Sequence, residues 1–221
     1  MKRKIMILIL VVMICIFLSV LVAVIMKVNQ KYNNENMSIT YNGLPVNKVC
    51  LLWTYSTSTP EMAVGAHQYV FVAKVNKILR TEYKNPVELK TGFFKKEIIT
   101  DPYTVYSISV IKNIKGELIT SEELEYRQFG GISEDGDSYT FTDGVTLLDE
   151  NEYYILMADT SEKDEYTLIG LKPNTRIELG NEEEFELNEN EIIEKYVEAY
   201  KNQYKYDIDN IMSKYDVNFN K

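Results

Sequence analysis

Histidine is almost missing from this chain: His67 is the only one in 221 residues. A Ser-His-Asp triad, a Cys-His nucleophile pair and most zinc sites need imidazole as base or ligand, so each would have to pass through that position. No spacing around His67 supports any of them, and it reads as a surface or strand-end residue. Cysteine is nearly as scarce. Cys15 lies in a long apolar run and Cys50 stands alone beyond it, which excludes a disulfide within residues 28–221. The fold must therefore rest on its own core. Glycine-rich phosphate loops and internal repeats are also lacking. The sequence singles out no catalytic, cofactor-binding or metal site, and no cofactor is expected.

What is present begins with residues 5–26, which are 22 uncharged positions with Ser19 as the one polar side chain apart from a thiol. As a helix this run spans roughly 33 Å, enough for a hydrocarbon core of about 30 Å. Lys2, Arg3 and Lys4 precede it, and basic residues on that side predict a cytoplasmic N-terminus. A cleaved signal peptide has a shorter apolar region and a small-residue cleavage site; here Ala23 has Leu21 two places before it, and Cys15 follows Met13-Ile14 in mid-run. The expected arrangement is a cytoplasmic tail (1–4), a single transmembrane helix in contact with the lipid bilayer (5–26), a polar tether (27–48), an extracytoplasmic β-barrel domain (49–187) and a C-terminal amphipathic helix with its tail (188–221).

Four of the 24 basic residues fall in residues 1–27, leaving 20 against 33 acidic side chains in residues 28–221, a net charge of about −13. Such a surface repels nucleic acid and anionic lipid headgroups. An envelope protein or a glycan remains as the expected class of partner.

Residues 28–48 are rich in Asn and poor in large aliphatics, the composition of a segment that cannot offset its ordering entropy; within it, residues 38–41 suit a short strand before an Asn42-Gly43 turn. Val49-Cys50-Leu51-Leu52-Trp53 suits a first strand or a plug. Residues 68–75 (QYVFVAKV) are apolar on both alternating faces, as in a central strand covered on each side. Residues 81–100 read as a long, partly charged loop or hairpin tip. Residues 103–111 alternate, with Thr104, Tyr106, Ile108 and Val110 on one face, and Lys115-Gly116 ends the run. Residues 124–129 form a further strand stopped by Gly130-Gly131. Residues 152–157 and 165–171 form two more, joined by a hairpin loop at 159–164, and residues 175–179 suit an edge strand. Asn188 is placed to cap a helix over about 189–204, with Ile192, Ile193, Tyr196, Val197 and Tyr200 on one stripe. Ile208, Ile211, Met212 and Tyr215 keep the helical period beyond it.

The ordered series YVFVAKV (69–75), TVYSISVIKNIKG (104–116), EYRQFGG (125–131), ENEYYILMA (150–158) and YTLIG (166–170) resembles the netrin/TIMP-like module of bacterial cell-surface proteins. The resemblance implies a mainly β fold, an OB-like antiparallel barrel of about five strands, which elsewhere hosts oligonucleotide, oligosaccharide and protein binders. Protease-inhibiting members use an N-terminal Cys on the target's metal. No Cys opens the outer domain here, so that activity is not carried over.

Three acidic or aromatic features invite functional readings. Glu134-Asp135-Gly136-Asp137-Ser138, with Asp143-Gly144 after it, offers oxygen ligands to a hard cation but lacks the EF-hand positions, so a solvated hairpin tip is expected. Glu182-Glu183-Glu184 reads as a solubilising run. The tyrosines of the predicted strands, Tyr69, Tyr106, Tyr126 and Tyr154 among them, read as barrel packing more than as a ligand face. The function expected from all this is a non-enzymatic, membrane-anchored binding module. An envelope enzyme acting on glycans through a carboxylate pair is the alternative, and self-association through the C-terminal helix is a third reading.

Overall fold

The structure, a computed structural model, describes residues 39–90, 96–142, 144–172, 175–187 and 190–219. The expected membrane helix over residues 5–26, the Asn188 cap and Asp143 lie outside them. Among the described residues no helix is long and apolar enough to cross a membrane. The chain divides into two compact units, residues 1–43 and 44–221. In the first, a short strand β1 (Thr40–Tyr41) leads into Asn42 and Gly43, both left-handed at φ 49° and 80°, as an Asn-Gly turn requires.

The second unit is mainly β. Its larger sheet has the order β10 (Arg176–Gly180), β8 (Tyr153–Ala158), β3 (Tyr69–Lys90), β4 (Lys96–Lys115), β5 (Glu123–Phe129), β9 (Leu168–Gly170). All neighbours in it are antiparallel except β5 and β9, which are parallel. A smaller sheet carries β2 (Leu44–Val49), parallel to β7 (Tyr139–Thr142), which is antiparallel to β6 (Gly131–Ile132). Both sheets are therefore mixed and neither is closed, which corrects the expectation of an all-antiparallel closed barrel. The cause lies between β8 and β9. There the chain makes a 3-10 turn at Glu162–Asp164 and left-handed steps at Glu165 and Tyr166, leaving β9 three residues long. Strand β9 reaches the end of β8 only through one bridge, Asp159 N to Ile169 O at 3.0 Å and Ile169 N to Asp159 O at 2.9 Å.

The two apolar faces of β3 have separate uses. Phe71, Ala73 and Val75 join Tyr106, Ile108 and Val110 of β4, Leu124 and Tyr126 of β5, and Leu156 of β8 in one buried cluster. Val70 and Val72 face the other way, against Ile155 and Met157 of β8 and the helices α1 (Pro60–Ala66) and α2 (Glu191–Lys201). Each such aliphatic contributes about 1.5–3 kcal/mol on full burial. The predicted faces of β4 are therefore observed, as are the stop at Gly116 (φ 81°) and the edge strand β10.

Four local expectations need correction. Residues 44–48, placed in the tether, belong to β2 and are held by β7. Residues 81–90 and 96–100 are not loop: β3 and β4 continue as a two-stranded ribbon in which Val87 faces Ile99 and Glu88 faces Ile98. Helix α2 is shorter than predicted and is capped by Asn190, whose Oδ1 accepts from the N–H groups of Ile192 (3.0 Å) and Ile193 (3.2 Å). Of the expected stripe, Ile193 and Tyr196 are buried and Val197 is half-buried, with Ala199 added to them, while Ile192 and Tyr200 are exposed, so the core takes only part of the face that self-association would need. Finally, the helical period of Ile208 to Tyr215 is not realised. After Lys201 the chain runs as an irregular strap back across α1, where Tyr204 N donates to Glu61 O at 3.2 Å. Gly65 permits this passage, since a Cβ there would lie 2.2 Å from the Tyr204 carbonyl oxygen.

Candidate functional site

Helix α1 begins at a Thr59 cap with Pro60 in the first turn and ends against three side chains. His67 Nδ1 donates to Ala63 O at 2.7 Å, Lys115 Nζ donates to Val64 O at 2.8 Å, and Lys172 Nζ donates to Ala66 O. These three donors satisfy orphan acceptors of the helix C-terminus, and the two lysines complement its dipole. His67 is fully buried rather than on the surface, because Ala63 lies one turn before it and draws the ring inward. Burial holds its pKa below the usual imidazole value, against the opposing pull of Asp159. Burial likewise pushes Lys115 down to about 8.

From this junction the site builds outward. Asp159 follows β8, and its Oδ1 accepts from Gln68 N at 3.2 Å. Its Oδ2 lies 2.8 Å from Lys172 Nζ, a close ion pair without hydrogen-bond alignment. Thr160 N donates to Gln68 Oε1 at 2.6 Å, yet the Thr160 hydroxyl is buried with no partner among the described residues. Asp164 accepts from Ser161 Oγ at 2.7 Å and from Lys84 Nζ at 3.2 Å.

Above these groups opens a cleft of about 340 Å³. Trp53, Tyr55 and Tyr103 supply aromatic wall, Ile169, Leu171 and Ile208 aliphatic wall, and Asp159, Asp164, Asp207 and Asp209 carboxylates. The strap is fixed there by its backbone. Tyr55 Oη donates to Asp207 O, Gln68 Nε2 donates to Asp209 O, and the Tyr55 and Tyr206 rings meet at 4.7 Å. The side chains of Asp207 and Asp209 have no hydrogen-bond or ion-pair partner among the described residues, and both residues are exposed.

A second, more polar cleft of about 730 Å³ shares Tyr103, Asp164 and Leu171 with the first. Three of its four cations, Arg80, Lys84 and Arg127, already face carboxylates, and the fourth, Lys163, donates to Asn85 Oδ1 at 3.3 Å. Arg80 holds Glu125 through Nη1 (2.8 Å) and Nη2 (3.0 Å), and Arg127 Nε lies 2.9 Å from Glu82. The Arg80 guanidinium keeps the Glu125 carboxyl below the usual range.

The features singled out in the sequence lie elsewhere or inside. Asp135 sits at the tip between β6 and β7, where its Oδ1 accepts from Ser133 Oγ at 2.6 Å and Asp137 N at 3.2 Å. No three His, Cys, Asp or Glu side chains come together as metal ligands among the described residues. Glu182 pairs with Lys74 at 3.2 Å. Tyr69, Tyr106, Tyr126 and Tyr154 are buried in the inner cluster. Cys50 is an exposed free thiol. The cleft joins Trp53 and Tyr55 to Asp207 and Asp209, and nothing local in the sequence announces that meeting. No family model and no curated protein matches this chain.

Proposed function

We propose that this chain is a non-enzymatic binding module anchored in a membrane by residues 5–26, with its N-terminus cytoplasmic and its β unit on the outer side. The fold reading beneath it is an open OB-like arrangement of the netrin/TIMP-like kind, with β8, β3, β4, β5 and β9 as successive neighbours and the two ends meeting at a single bridge. The parallel β5–β9 pair, the Asp159–Ile169 bridge and the apolar cluster enclosed by these strands support that reading. OB folds bind ligands on the face of the second and third strands and the loops beside it. By that analogy the corresponding region here is β4, β5 and the loop between β8 and β9; that loop and Tyr103 of β4 line both clefts, and Arg127 of β5 lines the second.

The observation that carries the proposal is the aromatic and acidic cleft, whose volume of about 340 Å³ falls within the range of small-ligand and side-chain pockets. Its two inner carboxylates, Asp159 and Asp164, each already face a lysine, an arrangement suited to holding the walls together. The strongly acidic outer part disfavours nucleic acid as the ligand. The test is photo-crosslinking in intact cells with a benzophenone amino acid at Leu52, which is exposed beside Trp53, and at Lys195 on the outer face of α2. Discrete adducts at position 52 and none at 195 are expected. Equal labelling of both, or none at 52, removes the reading.

A further inference from the structure

We propose that the cleft takes a primary ammonium or guanidinium group carried on an apolar stem, such as a lysine-like or diamine ligand. The inference rests on the binding reading above and adds the chemistry of the ligand.

It follows from counting which polar atoms of the cleft are still free. Some donors are committed, Gln68 Nε2 to Asp209 O, Tyr55 Oη to Asp207 O, Ser161 Oγ to Asp164 and Lys172 Nζ to Ala66 O, while Trp53 Nε1 and the Tyr103 hydroxyl have no partner among the described residues. The charged groups left without a counter-charge are acceptors. Asp207 and Asp209 present carboxylates without partners among the described residues, and the Thr160 hydroxyl is buried in the wall, also unpartnered. A neutral sugar would leave the two carboxylates without a counter-charge. An ammonium or guanidinium brings donors only.

Charge and shape agree with that choice. Four carboxylates line the cleft; Asp159 and Asp164 are matched by Lys172 and Lys84, so the negative excess resides on Asp207 and Asp209. Trp53, Tyr55 and Tyr103 line it, the Tyr103 ring already has a cation, Lys84 Nζ, 5.6 Å from its centroid, and indole is the strongest of the aromatic partners for a cation. Ile169, Leu171 and Ile208 give an alkyl stem an apolar bed. A volume of about 340 Å³ lies near the lower end of ligand pockets, suited to one side chain more than to an oligosaccharide.

Trp53 is the only tryptophan in the chain, so its emission reports on this cleft alone. The full chain in detergent or nanodiscs is titrated with N-acetyl-lysine amide, 1,5-diaminopentane, the neutral isostere N-acetyl-norleucine amide and chitotriose, with calorimetry in parallel. The expected result is saturable binding of at least one amine, weakened by salt, with none of norleucine amide. Binding of the lysine amide alone identifies a polypeptide side chain as the source, and binding of the diamine alone a free polyamine. Joint replacement of two solvent-exposed carboxylates, Asp207→Asn with Asp209→Asn, should weaken binding about tenfold while leaving the melting curve in place. Equal binding of norleucine amide, or an unchanged affinity in the double variant, overturns the inference. Saturation by chitotriose with both amines silent overturns the ligand class but leaves the binding module standing. Silence of all four probes by both methods also overturns the ligand class, whereas the module itself falls only with the crosslinking result.

Discussion

His67 shows how burial fixes the behaviour of a titratable group. Its Nδ1–H is committed to the Ala63 carbonyl and its Nε2 has no partner among the described residues, so burial disfavours the charged ring in the folded chain. The charged groups that act on it are Asp159, Lys172 and Lys115. With a folded pKa below 6.5, the unfolded chain binds the proton more readily, and stability must fall as pH drops through 6.5. The slope from this one group is bounded at about 1.4 kcal/mol per pH unit. Urea unfolding at pH 7.5 and 5.5 should show a lower midpoint at the acid value. His67→Asn, which keeps a donor near Ala63 O, should lose most of that difference whatever its absolute stability. An unchanged pH dependence in the variant would mean that other groups set it.

At the scale of elements, the strap and α1 are mutually dependent. Gly65 is where they touch, and a methyl group there would have to displace the Tyr204 carbonyl. Gly65→Ala should therefore cost about 1–3 kcal/mol in thermal or urea melts, despite the better helix propensity of Ala. The strap also carries Asp207 and Asp209, so the same change should loosen the cleft. Elements whose order comes from local pattern were readable in the sequence. The two apolar faces of β3, the alternation in β4, the stop at Gly130-Gly131 and the buried Ile193 and Tyr196 of α2 all follow from local pattern, whereas Ile192 and Tyr200 of the expected stripe are exposed. Elements that depend on distant partners were not. Leu44–Val49 is ordered by the parallel strand β7, and a β-ribbon extends where mixed charge suggested a loop. The residues from Ile208 to Tyr215 have a helical period but are held by non-helical bonds, such as Ser213 N to Tyr69 Oη at 2.8 Å. Thr59-Pro60-Glu61 did carry a readable helix start that the polar stretch before it obscures.

The whole molecule combines an apolar N-terminal run, a strongly acidic remainder and a β unit with a cleft lined by exposed carboxylates. The fold class was legible because hydrophobic period is local. The cleft was not, since it unites residues near position 53 with residues near position 208 through the strap. The central claim is that this unit lies on the outer side of the membrane, where its cleft meets its ligand. Cys50 makes a direct test available: it is an exposed thiol, and the only other cysteine, Cys15, falls within the expected membrane segment. Intact cells expressing the full chain are treated with a membrane-impermeant maleimide, with Cys50→Ser as control. Labelling of Cys50 before lysis is the predicted result, and labelling only after the membrane is breached would contradict the account.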